Sequence, residues 1–253
     1  MGKFQDVLIN EAEDMSTLPL LHTCDAYSLR SILESLTLIP QQCDVFSIDL
    51  LYTYYGLPSY RPHHKKATSN PAYFMICFIL ESEQFNDFHK IYPFDSGAFH
   101  KVPEMKENFF HDKTEILEFE LDTKILSAKK VIKTFYETNK NYLNQQPKPS
   151  KEFSIIDFEA NGYNNLINNN ADGILDDRAS SIEVIFDKKI VLSKETVKQI
   201  IIPNCFKDDE KVSSLIKDNF GLEEPLGYGT SRGNPNESFG QIRTEYFNFI
   251  KSN

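Results

Sequence analysis

The chain has 253 residues, of which 40% are hydrophobic and 25% are charged, a composition typical of a globular protein that can bury a sizeable core. Its formal net charge is −10. This charge argues against a protein that coats DNA or RNA through the phosphates, because such binding requires a dense positive field.

The first quarter of the chain predicts a strand followed by helices. Residues 18–23 form a short apolar run typical of a strand. Apolar residues then recur at helical spacing over residues 27–36, and Asp25 or Ser28 could cap that helix. We expect residues 47–55 to form another short helix, stopped by the glycine and proline that follow.

The middle of the chain predicts strands and one helix. Residues 72–80 are continuously apolar, which indicates a strand buried on both faces. Residues 90–99 are expected to form a strand, a turn and a returning strand. Residues 115–121 alternate apolar and polar, typical of a half-exposed strand. Helical spacing over residues 127–138 predicts a helix capped by Ser127.

The last third mixes both types of element. Residues 139–152 are polar and predict a surface loop, and residues 153–168 fit either a strand or a helix. Residues 200–203 predict a buried strand, and residues 209–220 predict a surface helix. The glycines and prolines of residues 221–241 predict a long irregular loop. Short strands interrupted by helices, without strict βαβ alternation, favour an α+β fold.

Several classes of protein are disfavoured by missing patterns. The sequence has no P-loop, dinucleotide-fold, HExxH or GxSxG motif, and four scattered cysteines without a CxxC pair suggest reduced thiols. The pair His63 and His64 lacks carboxylate or cysteine partners at ligand spacing, so we expect no metal site. With no apolar run near the ~18 residues of a membrane span and no signal-peptide pattern, we expect a cytoplasmic protein without a membrane partner.

Glu183 is the most informative residue, because it is a lone carboxylate inside the apolar run of residues 181–186. Side chains alternate along a strand, so Glu183 would share a face with Ser181 and Ile185. A buried carboxylate requires a partner or borders a cleft. As a structural alternative, Glu183 could form an ion pair with a lysine across the next turn.

In chain order, His22, the adjacent Tyr54 and Tyr55, and Glu183 resemble the His–Tyr–Glu signature of the ADP-ribosyltransferase superfamily. The context of Glu183 is most similar to bacterial DNA-modifying toxins and to phage-defence toxins that modify RNA. The resemblance implies a split, mixed β-sheet core with flanking helices. It implies one domain over residues 1–253, with a core at about 18–203 and a C-terminal extension at 204–253.

The resemblance also implies roles for individual residues. Glu183 would hold a ribose hydroxyl and offset the positive charge of an oxocarbenium-like transition state. His22 would bind the other ribose, and Tyr54 or Tyr55 would stack on nicotinamide. The full implied set has Glu183 and Arg61 as catalytic residues and His22, Thr23, Tyr54, Tyr55, Tyr60, Arg178 and Ser181 as residues that bind NAD, with Arg61 or Arg178 at the pyrophosphate.

The activity implied is transfer of ADP-ribose from NAD, as substrate, to a nucleic acid or protein acceptor by a toxin or phage-defence effector. Ser181 stands where arginine-modifying members carry a second Glu, which makes arginine a poorer acceptor, and nucleic acid is slightly favoured over protein. A toxic enzyme would need a neutralising partner such as an antitoxin. The alternatives are an NAD glycohydrolase without a specific acceptor, a non-catalytic nucleotide- or partner-binding module, and a structural domain in which Glu183 forms a buried salt bridge.

Overall fold

A computed structural model of the chain describes residues 3–59, 64, 66–168 and 177–252, and within these ranges it is a mixed α+β protein. The predicted α+β class is therefore confirmed. The strands are β1 (Leu20–Asp25), β2 (Thr37–Leu38), β3 (Gln41–Gln42), β4 (Asp49–Tyr55), β5 (Met75–Leu80), β6 (Lys90–Tyr92), β7 (Glu183–Phe186), β8 (Ile190–Val191), β9 (Val197–Pro203) and β10 (Leu226–Tyr228). The α-helices are α1 (Lys3–Asp6), α2 (Leu29–Ser35), α3 (Ser96–Lys101), α4 (Pro103–Phe109), α5 (Ile125–Tyr136), α6 (Asn139–Leu143), α7 (Phe158–Asn168), α8 (Asn204–Lys207), α9 (Glu210–Phe220) and α10 (Phe239–Ser252).

The chain divides into two compact units, each assembled from separate stretches of sequence. The first unit contains Met1–Leu18, Gln41–Leu57 and Phe85–Asp187. The second unit contains Pro19–Pro40, Pro58–Gln84 and Lys188–Asn253. The proposed single domain with a core at 18–203 and an extension at 204–253 stays a prediction.

The sheet of the first unit is antiparallel. Strand β4 pairs with β7, and β7 pairs with β6, while the short β3 pairs with the beginning of β4. All four residues of β7 are buried, as are five of the seven residues of β4. Because β7 lies between β4 and β6, the side chain at its first position, Glu183, is flanked by both neighbouring strands.

The helical part of the first unit has an aromatic core. Phe4 stacks on Phe135, with ring centroids 5.4 Å apart and planes 4° from parallel, and meets Tyr163 edge-on. Phe94 extends this cluster through an edge contact with Phe119. Aromatic pairs of this geometry stabilise beyond the area they bury, and here they fix the loop that carries Asp95, the residue after Phe94.

The second unit is built on a mixed sheet. Strand β5 pairs antiparallel with β1 and with β9, and β9 pairs in parallel with β10. Every residue of β5 is buried, which confirms the prediction of a strand covered on both faces. The Tyr228 hydroxyl on β10 donates a hydrogen bond to the Met75 carbonyl oxygen (2.6 Å). A separate antiparallel pair joins β2 to β8.

The long, strongly patterned elements match their predictions. The strands predicted at 18–23 and 200–203 are β1 and β9, and the helices predicted at 27–36 and 209–220 are α2 and α9. The helix predicted at 127–138 is also present as α5. The ambiguous residues 153–168 contain a helix, α7. No helix in the described part of the chain is long and apolar enough to span a bilayer.

Three predicted elements are of the wrong type. The helix expected at 47–55 is the strand β4, because its Tyr- and Thr-rich segment packs in the sheet against β7. The strand expected at 115–121 is a 3₁₀ helix over Ile116–Phe119, closed by a reciprocal capping box between Glu115 and Glu118.

The returning strand expected after Lys90 is the helix α3 instead. Asp95 does not sit in a hairpin turn. Its side chain accepts a hydrogen bond from the Ala98 amide and begins the helix.

Some predicted helix caps, one helix start and two predicted loops were also wrong. Asp25 and Ser28 make no side-chain capping bond at α2, and α5 begins at Ile125, before Ser127. The loop expected at 139–152 includes α6, capped by Thr138, and the loop expected at 221–241 includes β10 and the beginning of α10.

Candidate functional site

The first unit brings Glu183 together with tyrosines from both neighbouring strands. In the sheet register Glu183 is the direct partner of Tyr54 on β4 and of Tyr92 on β6. Direct partners in an antiparallel sheet project to the same face, with Cβ atoms about 4.5–5.5 Å apart. A carboxyl group is therefore held between two phenol rings.

The Glu183 carboxyl group is almost completely buried, with 1% of the residue exposed. Its Oε2 atom accepts a hydrogen bond from the Ser96 amide (3.3 Å), whereas its Oε1 atom has no hydrogen-bond partner in the described part of the protein. Burial, and next the nearby charge of Asp95, raise the pKa of Glu183 well above its ordinary value. The side chain and the backbone amide of Ser96 both lower the pKa of Glu183, against these two larger causes.

Asp95 is the second carboxyl group of this site and is 8% exposed. Its Oδ2 atom accepts a hydrogen bond from the Tyr54 hydroxyl (3.0 Å), and its Oδ1 atom accepts one from the Ala98 amide (2.7 Å) at the beginning of α3. The Asp95 amide donates to the Arg178 carbonyl oxygen (3.1 Å). Asp95 thus ties β4, α3 and the segment before β7 to one position.

The other tyrosines of this face are held by hydrogen bonds of their own. The Tyr92 hydroxyl donates to Glu120 Oε2 (3.2 Å), and the Tyr52 hydroxyl lies 2.8 Å from the Cys43 thiol. Burial is the main cause that raises the pKa values of Tyr52, Tyr54 and Tyr92. All three phenols are therefore neutral at physiological pH and can both donate and accept hydrogen bonds.

The structure distinguishes the two adjacent tyrosines. Tyr54 shares the row of Glu183, whereas Tyr55, the next residue of the strand, points to the opposite face. The Tyr55 hydroxyl accepts a hydrogen bond from the Leu18 amide (3.0 Å), and its carbonyl oxygen accepts one from the Tyr142 hydroxyl (2.8 Å). Tyr55 is fully buried and has a structural role in the first unit.

The remaining predicted site residues belong to the segment before β7, to β1 of the second unit, or to the part of the chain that is not described. Ser181 is buried and donates to the Asp177 carbonyl oxygen (2.7 Å), in the turn that also contains Arg178. His22 and Thr23 belong to β1 of the second unit, where they pair with Phe78 and Cys77 of β5. Tyr60 and Arg61 lie outside the described residues.

Sequence reasoning missed Asp95, Ser96 and Tyr92. Asp95 and Ser96 were interpreted as a hairpin turn, because the glycine that follows them is typical of turns. An aspartate three residues before a buried helical position is also a helix-capping signal, and that interpretation would have identified Asp95.

The chemistry available here is that of two carboxyl groups in a poorly solvated setting with neutral hydroxyl groups around them. Such a pair can donate or accept a proton, or offset a positive charge that develops beside it. Within the described residues, no group of three or more His, Cys, Asp or Glu side chains is arranged to hold a metal ion. Comparison of the chain with protein-family models, curated proteins and solved structures found no match.

Proposed function

We propose that this protein is an ADP-ribosyltransferase with an ADP-ribosyltransferase-like core, which cleaves NAD and transfers ADP-ribose to a macromolecule. One observation carries the proposal: Glu183 lies at the first position of β7, directly across from Tyr54, with one carboxyl oxygen free of hydrogen bonds within the described chain. A carboxyl group at the beginning of a late strand beside an aromatic side chain is the arrangement that the resemblance implies.

The environment of Glu183 suits cleavage of a glycosidic bond to a cationic leaving group. Loss of nicotinamide builds positive charge on the ribose, and a fixed carboxylate beside it lowers the barrier. The raised pKa of Glu183 favours its protonated form. The positive charge of the NAD nicotinamide ring favours the ionised form, so substrate binding would release that proton.

The choice of acceptor rests on the resemblance of the Glu183 context to toxins that modify nucleic acids. We favour a nucleic acid over a protein, as in a toxin or phage-defence effector, with an antitoxin as the expected neutralising partner. The net charge of −10 is unfavourable for broad nucleic-acid binding, so the acceptor would be recognised locally.

Incubation with labelled NAD and separate pools of DNA, RNA and protein tests this function. The wild type should release nicotinamide and label one pool, and Glu183→Gln should reduce the rate by about 10²–10³-fold, as the loss of one electrostatic group commonly does. Gln is nearly isosteric with a protonated Glu, so the fold should be retained. Glu159→Gln, at another buried glutamate of the first unit, is the matched control and should keep full activity. Equal rates in the wild type and Glu183→Gln would refute the proposal.

A non-catalytic nucleotide-binding module is the second candidate, favoured by the 1% exposure of Glu183 and by the engagement of the Tyr54 hydroxyl with Asp95. Calorimetry distinguishes it from the enzyme. Tight NAD binding that Glu183→Gln leaves intact, without nicotinamide release, would favour the module.

A further inference from the structure

Asp95 has no place in the function proposed above, yet it joins β4, α3 and the segment before β7 by hydrogen bonds. It binds the Tyr54 hydroxyl and the Ala98 amide through its two oxygens, and its neighbour Ser96 provides the amide that binds Glu183. Both acids are at least nine-tenths buried. Two carboxyl groups in such surroundings cannot both be ionised without a large cost, as in the aspartic-protease dyad.

We propose that Asp95 and Glu183 form a buried carboxyl pair that holds a single proton across neutral pH, and that Asp95 is the positioning residue that keeps this proton on Glu183. The distribution of hydrogen bonds carries the assignment. Asp95 accepts two short bonds, at 2.7 and 3.0 Å, whereas Glu183 accepts one long bond, at 3.3 Å. Hydrogen bonds to a carboxylate favour its ionised form, so the charge belongs on Asp95 and the proton on Glu183.

A second feature of this site, two buried atoms without a hydrogen-bond partner in the described chain, points to a ligand. These atoms are Glu183 Oε1 and the hydroxyl oxygen of Ser96. A neutral carboxyl group and a serine hydroxyl can together bind one hydroxyl group of a ligand, donating to it and accepting from it.

Among the titratable groups near Glu183, Asp95 has the largest effect on its pKa, after burial itself. These groups are Tyr52 and Tyr54 on β4, Tyr92 on β6, Cys43 after β3, and Asp95 before α3. The three phenols stay neutral because burial raises their pKa values. The thiol of Cys43 is hydrogen-bonded to the Tyr52 hydroxyl and has only a minor effect.

The test is a ¹³C NMR titration of the full-length protein labelled at the Glu and Asp carboxyl carbons, with Glu183→Gln used to assign the Glu183 signal. Glu183 should titrate well above pH 4.5 in the wild type. In Asp95→Asn its midpoint should fall by about one pH unit or more, since a neighbouring negative charge is removed. Asparagine is as good a helix cap as aspartate, so α3 is retained.

Asp209→Asn is the matched control, because Asp209 caps α9 through the same kind of bond to the Val212 amide (3.0 Å). It should leave the Glu183 midpoint unchanged. A wild-type Glu183 midpoint near 4.5, or one that Asp95→Asn does not move, would overturn the proposal. If Asp95→Asn does not fold, Tyr54→Phe replaces it. Loss of the phenol removes a hydrogen bond that favours charge on Asp95, so the Glu183 midpoint should fall, and an unchanged midpoint would equally overturn the proposal.

Only the catalytic consequence rests on the proposed function. If Asp95→Asn shifts the Glu183 titration, the pH profile of nicotinamide release should move in the same direction. A shifted titration without any nicotinamide release would retain the carboxyl pair and refute the enzyme. Release with a pH profile and titration unaffected by Asp95→Asn would retain the enzyme and refute the pair.

Discussion

The first unit contains a second pair of neighbouring acids, Glu118 and Glu159, whose surroundings differ from those of Asp95 and Glu183. The ammonium group of Lys3 lies 3.0 Å from Glu118 and 3.8 Å from Glu159. Lys3 is largely exposed, so this second pair meets a cation and solvent. The pair at Glu183 instead meets phenols, a backbone amide and a thiol.

Despite this difference, the pKa of one acid is raised in each pair, by burial first and by its neighbouring acid next. Burial, and next the interaction with Glu118, raise the pKa of Glu159. Burial opposes ionisation of Glu118, but hydrogen bonds from Glu159 and the Glu115 amide, together with Lys3, lower its pKa overall. In each pair the acid with more hydrogen bonds takes the charge. The comparison teaches that the pKa of a buried acid is raised with or without a nearby cation, because burial is the first cause at both Glu159 and Glu183.

The largest expected effect is on the pH dependence of stability at Glu183. A pKa raised in the folded state contributes stability that is complete below the unfolded pKa near 4.5 and is lost as the pH rises toward the folded pKa. The wild type should therefore lose stability relative to Glu183→Gln by about 1.4 kcal/mol per pH unit above 4.5, until the folded pKa is reached. Urea unfolding of both proteins at pH 4.5, 6 and 7.5 measures this. A constant difference across these pH values would contradict a protonated Glu183.

The next largest effect concerns the hydrogen bond that the Tyr54 hydroxyl donates to Asp95. Tyr54→Phe keeps the ring but removes the donor to a buried carboxyl group, and we expect a loss of about 1–3 kcal/mol in the free energy of unfolding. Tyr55→Phe, the adjacent residue on the opposite face, also loses a buried hydrogen bond, in this case from the Leu18 amide. It should destabilise the first unit without changing the Glu183 titration, which separates a general loss of stability from an effect on the pair.

The sequence predicts those parts of the site that depend on local patterns, and it misses those that depend on contacts between residues far apart in the chain. The strand of Glu183 is predictable because an isolated acid in an apolar run is a local pattern. Whether Tyr54 or Tyr55 lies across from Glu183 depends on the register between β4 and β7. These two strands are over 120 residues apart in sequence. The prediction of a helix at residues 47–55 missed the pairing of Tyr54 with Glu183, because a helix has no cross-strand partners.

Asp95 shows the same limit of local sequence patterns. As a helix cap it was within reach of local reasoning, but its bond to Tyr54 and its proximity to Glu183 arise from tertiary structure alone. The 3₁₀ helix at Ile116–Phe119 was mistaken for a strand because four residues are too few to distinguish the two periods. Long elements such as β5 and α9 were predicted because many residues repeat the same pattern.

A smaller effect is expected at the second pair. Glu159 also has a raised pKa, so the wild type should lose stability relative to Glu159→Gln as the pH rises above 4.5, with the same sign as at Glu183. The total loss should be smaller than at Glu183, because the pKa of Glu159 is raised whereas that of Glu183 is raised well above its ordinary value. Urea unfolding at the same pH values tests the ranking, and a larger loss relative to Glu159→Gln than relative to Glu183→Gln would reverse it.

The smallest effect should follow the removal of Lys3. Its raised pKa means that its interaction with the two glutamates is complete at neutral pH and is lost only as the pH rises above 10.5. Lys3→Met should therefore reduce stability slightly at pH 7 in low salt, and the difference should vanish in 1 M salt, because exposed ion pairs are screened. The NMR midpoints of Glu118 and Glu159 should rise in Lys3→Met, since a positive charge is lost, while that of Glu183 should stay fixed. A change in the Glu183 midpoint would show that the two pairs are coupled, and the separation drawn between them would fail.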